Sequence, residues 1–432
     1  MQLDQLLSAL GIEDCREVFE PHWEEDVVSL PENPSLLDPD TIRVSRDWVG
    51  LPEEHEPLIL ATAEQIRQCP ALKLFAWHCH ECLFRHQDYP AEKVRQWPSL
   101  ERILGEERCG ILYLLVALGV VPLATAFHQE RGVPEDISRA SCGRFEALTE
   151  YYAFHNKGNL GAYTRTMHWL RHYVNGDLFR VGRMEYMVRP FRGGLTAYRH
   201  RDTREVIALA ADGTRFAADG MLDMRPAEDP DPEGWVAHVE EGEDTVTGCP
   251  ISPAGVGLRE PVTLDLSKWK QVLTGGDPVL DVHIPGGGNM TPEACRDTME
   301  RAMAFFREYF PERPFVGFAC GSWILNPEIA DFYRPDSNMI LWQKELYLFP
   351  IPTGRRSGLY FVFYDEDPDL STAPRETSLQ RAVLKHLEAG GRFIVEGMFF
   401  LAEDMDKFGT QFYLSHFPPS DLDAGRAAAR NP

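Results

Sequence analysis

The chain is short of positive charge. It carries 43 lysines and arginines against 67 acidic residues, a formal net charge of −24 over 432 residues. A nucleic-acid partner needs a basic footprint that displaces counterions from phosphate, and none is visible. An anionic membrane surface is disfavoured on the same ground. An anionic small molecule stays admissible if backbone N–H groups, a helix N-terminus and a few arginines bind it locally. Long apolar runs are missing too. The longest, Ile111–Phe127, contains Gly119, Pro122 and Thr125 and falls short of the ~20 residues a membrane span needs, so a buried helical segment is expected. Met1–Gly11 lacks a basic start and is too polar for a secretion core, so no leader is expected. Cysteine is sparse: nine residues, scattered and odd in number. That suits reduced thiols and a cytoplasmic location rather than a disulfide framework. No internal repeat is evident.

Apolar residues make up 44% of the chain, a globular composition. At ~100–200 residues per domain, two or three domains are expected. From Met1 to about Asn159 the spacing is helical, with Leu58–Arg67 and Ala71–Arg85 separated by Pro70, then Ser99–Phe127 and Glu135–His155. Pro21–Pro57, acidic and rich in proline, reads as a long connection. After a last helix over Tyr163–Tyr173 the pattern changes. Leu178–Pro190 alternates as a strand does, and Val206–Ala210 with Thr214–Ala217 reads as a hairpin turning at Asp212-Gly213. Val262–Leu266 is a short strand, and a helix is expected through Trp269–Leu273. Phe315–Leu325, Met339–Phe349 and Leu359–Phe363 read as strands, Asn326–Tyr333 and Leu379–Ala389 as helices. The fold class is therefore α+β: an all-helical N-terminal domain over 1–162, a mixed α/β domain with a central twisted sheet over 163–417, and a disordered tail over 418–432.

One segment has the makings of a ligand site. Gly275-Gly276-Asp277-Pro278 turns into a strand, Val279–Ile284, whose alternation puts Leu280, Val282 and Ile284 on one face and Val279, Asp281 and His283 on the other. Gly286, Gly287 and Gly288 follow, free to take positive φ angles and to let backbone approach a ligand. Thr291 is suited to cap a helix and Pro292 to begin one. Cys295, Met299, Ala302, Met303, Phe306 and Phe310 form one apolar helical stripe. A strand end, a glycine turn and a helix N-terminus make an anion site by geometry, with Arg296 in the second turn. An ordinary tight strand–helix turn has the same spacing. Neither the Gly-Lys-Ser/Thr ending of a P-loop nor the GxGxxG of a dinucleotide site is present here.

Three stretches, DPVLDVHIPGGGNMTPEAC, FVGFACGSWILNPEIADF and RPDSNMILWQKEL, together with LFRVGRMEYM and PVTLDLSKW upstream, resemble a bacterial acyltransferase family. Its members carry a helical N-acyltransferase N-terminal domain and a GNAT-like C-terminal domain. The resemblance implies a strand that splays from its neighbour, with acetyl-CoA or another acyl-CoA entering the gap as cosubstrate. The pyrophosphate is then expected on the backbone of Ile284, Gly286, Gly287 and Gly288, beside Asn289 and Arg296. The usual Gln/Arg-x-x-Gly-x-Gly/Ala loop is replaced here by Pro-Gly-Gly-Gly-Asn. The implied reaction moves an acyl group onto a small amine. A non-catalytic ligand-binding or regulatory protein on the same fold is the alternative.

Acyl transfer needs a base, oxyanion donors and an acid. His283 is the expected base, oriented by Asp281; a capping histidine is the plainer account. Glu293 is a second candidate base, although a first-turn carboxylate also complements the helix dipole. Tyr333 is the expected acid, with a half-buried aromatic as the alternative, and Ser322 is a further acid or substrate contact. Arg183 and Glu185 share a strand face and are candidate substrate ligands, or a cross-strand ion pair. His78, Cys82 and His86 stand at i, i+4 intervals, as do His168 and His172. No second Cys/His pair follows at zinc-finger spacing, so no metal is expected. The partner is expected to be a small molecule, with neither nucleic acid nor membrane involved.

Overall fold

A computed structural model describes residues 1–142, 145–365 and 367–422. The chain divides into two compact units, the first running from Met1 to Val181 and the second beginning at Gly182.

The first unit is helical. Its principal helices are α1 (Trp23–Ser29), α2 (Pro70–Phe84), α3 (Cys109–Leu118) and α4 (Val120–Arg131). All ten residues of α3 are buried, so this helix is apolar all round because it has no solvent face. Cys109–Arg131 is long and apolar enough to cross a membrane by length and composition, yet 72% of its most apolar window is buried inside the protein. Gly119 joins α3 to α4 because the imidazole of His80 lies against it: a Cβ there would come within 2.6 Å of the ring. The expected long connection Pro21–Pro57 instead holds α1 and a helix over Pro39–Trp48. Asp38 Oδ2 accepts from Thr41 N at 2.9 Å and Pro39 opens that helix, a cap written in the sequence as Asp-Pro-Asp-Thr.

The second unit is built on two sheets. Its main strands are β1 (Met184–Pro190), β2 (Leu195–His200), β3 (Val206–Ala210), β4 (Pro250–Ser252), β5 (Val256–Gly257), β6 (Trp269–Leu273), β7 (Pro278–His283), β8 (Gly317–Ser322), β9 (Tyr347–Phe349) and β10 (Glu396–Leu401). One sheet runs β1-β7-β8-β10-β9, the other β5-β4-β3-β2-β6. Among these five strands, β7 and β8 pair in parallel and the other neighbours pair antiparallel. Helix α5 (Pro292–Tyr309) covers one face, where Tyr186 Oη and Thr298 Oγ1 meet at 3.1 Å. The second sheet covers the other, where Tyr347 Oη accepts from Ala208 N at 3.0 Å.

Several expected elements change character. Leu178–Pro190 breaks at Gly182, φ +67°, into Phe179–Val181 and β1. Trp269–Leu273 is a strand, because β2 offers it an antiparallel partner and its Trp and Val suit a pleated surface. Val206–Ala210 forms its hairpin with the preceding strand β2, not with Thr214–Ala217. All five residues are buried between β2 and β4, while Arg215–Phe216 pairs with Trp235–Val236. Met339–Phe349 divides into a helix, Asn338–Gln343, capped by Ser337, and the short β9. Leu359–Phe363 contains one helical turn, Tyr360–Phe363, which drives Phe363 into a cluster with Ile329, Ile340 and Leu384. Part of the expected tail is packed. Ser420 Oγ donates to Glu205 Oε2 at 2.9 Å and Asp421 accepts from Trp269 Nε1 at 3.2 Å. The rest of that tail, 423–432, lies outside the described residues.

Candidate functional site

The site forms where β7 and β8 part. Their parallel ladder pairs Leu280 with Phe318 and Asp281 with Ala319. Beyond that rung both strands continue without each other. β7 reaches His283 by pairing with β1, opposite Glu185, and β8 reaches Ser322 by pairing with β10, opposite Glu396. The two strands therefore open like a wedge at their C-terminal ends. Gly321, deep in the sheet by sequence, is exposed in the opening.

Alternation assigns each neighbouring side chain to a face. Asp281, His283 and Glu185 share the face turned to the second sheet. His283 Nε2 lies 3.4 Å from Asp281 Oδ2, and Glu185 is fully buried across the ladder. Ser322 and Glu396 share the opposite face with Val282 and Tyr186. His283 and Ser322 thus flank the opening from opposite sides of the sheet.

The glycine turn closes the end of the wedge. Gly287 and Gly288 have φ of +67° and +69°, conformations that side chains with a Cβ resist. Arg183 lies against the turn, with its Nε 3.1 Å from where a Cβ on Gly288 would stand. Its charge also reaches Cys295 in the first turn of α5, although burial dominates there and pushes that thiol up to about 12. Thr291 Oγ1 accepts from Ala294 N at 3.2 Å, and Pro292 opens α5. The stripe from Cys295 to Phe310 is buried as its spacing predicts. Asn289 Oδ1 accepts from Asn338 Nδ2 at 2.6 Å, tying the turn to the helix Asn338–Gln343.

The remaining expected residues have other engagements. Arg296 is exposed and donates to Glu300 Oε1 at 2.8 Å, a turn further along α5. Glu293 is exposed in the first turn. Tyr333 is half-buried and packs on the cluster around Ile329 and Ile340. Ser322 Oγ accepts from Ile324 N at 3.3 Å and caps the turn Trp323–Leu325.

Glu396 is the residue that sequence reasoning passed over. It is fully buried, and neither carboxylate oxygen has a hydrogen-bond partner among the described residues. Burial pushes its carboxyl up to about 9, and Arg392 and the backbone N–H of Gly397 oppose this by less. Arg392 gives it no hydrogen bond because its own are committed: Nε donates to Glu328 Oε1 at 2.7 Å and Nη1 to Asp219 Oδ2 at 2.8 Å. The signal lay in FIVEGMFFL, one carboxylate inside an otherwise apolar strand run. Nearby, a cavity of about 530 Å³ is lined by Met221, Leu222, Met224, Ile351, Arg392 and Ile394. Ile351 also faces Gly321, its Cδ1 3.2 Å from where a Cβ would stand.

In the helical unit, His78 and His86 converge on Asp26 from α1. His78 Nδ1 lies 2.7 Å from Asp26 Oδ2 and His86 Nε2 2.7 Å from Oδ1, with Cys82 Sγ 3.5 Å from His78 Nε2. Asp26, His78 and Cys82 lie close enough together to hold a metal ion, as do His22, Glu25 and His86. Each Asp26 oxygen already accepts one imidazole N–H, so hydrogen bonding accounts for the buried carboxylate.

Comparison with known proteins fits this architecture. Three similar solved structures are a mutant acyltransferase in complex with octanoyl-CoA, an acyltransferase with decanoyl-CoA and teicoplanin, and an acyltransferase with CoA and 10C-teicoplanin. Each is 21% identical and covers 93% of this chain and 99% of its own, with TM-scores of 0.61, 0.61 and 0.60. That similarity establishes a shared fold. No curated protein matches the sequence significantly. Residues 40–176 match the N-acyltransferase N-terminal domain. Residues 178–399, more than half of the chain, match the GNAT-like C-terminal domain, and the protein belongs to that family.

Proposed function

We propose that the protein is an acyl-CoA-dependent N-acyltransferase acting on an amine of a small molecule. The observation that carries this reading is the parting of β7 and β8 after Asp281 and Ala319. A thioester needs a slot that presents backbone donors while excluding water, and a parallel pair that opens at its C-terminal end supplies one. The pyrophosphate of the donor fits the glycine turn. The N–H groups of Gly286–Gly288 and the N-terminus of α5 complement its charge, and Arg183 stands beside them. The structural neighbours hold CoA or its octanoyl and decanoyl thioesters, which favours the same donor class here. Two of them also hold teicoplanin or 10C-teicoplanin, which supports a bulky small-molecule acceptor over a protein.

In this reading His283 takes a proton from the amine as it attacks, and Asp281 at 3.4 Å holds the ring. The cavity that shares Ile351 with Gly321 receives the acceptor on the face that carries His283. A cytoplasmic setting is proposed with it, since nine scattered cysteines, odd in number, suit reduced thiols. Titration with acetyl-, octanoyl- and decanoyl-CoA tests the donor, with micromolar binding of at least one expected. No binding by any of the three removes the cosubstrate. Release of free CoA in the presence of amines tests the reaction, and His283→Ala is expected to lower kcat by 10²-fold or more, about 3 kcal/mol of barrier. Tight binding without turnover would favour a non-catalytic ligand binder on this fold.

A further inference from the structure

We infer that Glu396 is the acid that protonates the departing thiolate in the acyl transfer, a role that rests on the acyltransferase reading above. Three observations lead to it. The first is position. Glu396 opens β10 and pairs with Ser322, the last residue of β8, beyond the rung where β7 and β8 separate. Its side chain stands on the far face of the sheet from His283. A thioester seated in the opening has its carbonyl carbon between the two faces. The amine then bonds to that carbon on the side of His283, and sulfur leaves on the side of Glu396.

The second observation is chemical state. Neither oxygen of Glu396 has a side-chain hydrogen-bond partner among the described residues, and the residue is fully buried. A carboxylate so placed would be an uncompensated buried charge, whereas a neutral carboxylic acid is tolerated. The charged groups acting on it are Arg392 and Glu328. They neutralise each other, with His386 Nε2 3.1 Å from Glu328 on the outer side. The resting group is therefore a proton donor, with an acidity shifted toward that of a thiol.

The third is the weakness of the alternatives. The Oγ of Ser322 accepts from Ile324 N and caps a turn, and its hydroxyl is a far weaker acid than a carboxyl; Tyr333 sits against the apolar cluster of Ile329 and Ile340. The acid role expected of Tyr333 passes to Glu396.

The step balances simply. The amine nitrogen forms its bond to the carbonyl carbon and His283 takes one proton. As the C–S bond breaks, its electron pair goes to sulfur, which accepts the Glu396 proton and leaves as neutral thiol. Glu396 is left as carboxylate, and solvent returns its proton once product has gone.

The test uses the full-length protein, octanoyl-CoA and hydroxylamine as the amine. Glu396→Gln is expected to bind octanoyl-CoA within about threefold of wild type, with unchanged KM and kcat lowered about 10²-fold. The octanoyl thioester of 4-nitrothiophenol releases a stable aryl thiolate, which needs no acid. With that donor, and with the uncatalysed rate subtracted, the variant is expected to recover to within about fivefold of wild type. Equal loss on both donors assigns Glu396 a structural role and overturns the inference, as does full activity on octanoyl-CoA. Should the Gln variant fail to fold, Glu396→Asp keeps the acid on a shorter arm. It is expected to lose more activity on octanoyl-CoA than on the aryl thioester, and equal loss again overturns the proposal. Failure of wild type to bind octanoyl-CoA marks instead the failure of the acyltransferase reading, and this inference falls with it.

Discussion

At the scale of single residues, Glu396 makes a claim about stability that is separate from catalysis. Its carboxyl is held up to about 9 in the folded protein, against an ordinary 4.5, because burial disfavours the charge. The folded state therefore keeps a proton that the unfolded chain gives up. Below pH 4.5 both states are protonated and the full stability is present. As pH rises toward 9, each unit costs about 1.4 kcal/mol, so the group subtracts roughly 3 kcal/mol by pH 7. Glu396→Gln cannot ionise and escapes this loss. Urea denaturation of the two proteins between pH 5 and 9 should show the variant gaining on wild type steadily with pH. Parallel curves would mean that the carboxyl is solvated and titrates normally. Asp26 shows the contrary solution to the same problem, since two imidazoles supply what Glu396 lacks. A buried carboxylate with both oxygens satisfied is held for structure, whereas one with neither satisfied requires another reason for being there.

At the scale of elements, the glycine turn separates two kinds of glycine. Gly288 has φ +69° and Arg183 at its back, whereas Gly286 faces open space and has no positive φ. Gly288→Val places a branched side chain in a left-handed conformation and pushes the guanidinium away, at a cost of about 1–2 kcal/mol. Octanoyl-CoA binding is expected to weaken about tenfold, while Gly286→Ala changes it less than threefold. Calorimetric titration distinguishes the two, and equal effects would mean that Arg183 and the turn do not act together. This segment was legible in the sequence because its signals are local. Thr291-Pro292 is a cap, the apolar stripe has helical period, and the glycines are contiguous. The parting of β7 and β8 was not legible from the residues, because it depends on which strand each edge finds next. His283 is held by β1 and Ser322 by β10, whose residues are far away in the chain. The family resemblance implied the splay where spacing did not. Trp269–Leu273 and Met339–Phe349 were misread for a related reason. Short apolar runs fit either period, and a tertiary partner decides between them. Glu396 was visible as a charge among strand residues, but its meaning required knowing that, among the described residues, no side chain hydrogen-bonds to it.

At the scale of the whole molecule, a chain of net charge −24 is assigned a polyanionic cosubstrate. The two facts are compatible only if attraction is local and repulsion is long-range. Arg183, the turn N–H groups and the start of α5 act within a few ångströms of the pyrophosphate. The surplus of 67 acidic over 43 basic residues acts over the approach. Salt screens the second more than the first, because the Debye length falls from ~30 Å at 0.01 M to ~10 Å at 0.1 M. The association rate for octanoyl-CoA is therefore expected to rise with ionic strength over this range, about two- to fivefold. The dissociation rate is expected to rise more weakly, as the contacts at the turn are partly shielded from solvent. Stopped-flow mixing at a series of salt concentrations separates the two rates. An association rate that falls with salt would show that a basic approach path, and not only a basic contact, surrounds the glycine turn. The phosphate site would then have to include arginines beyond Arg183.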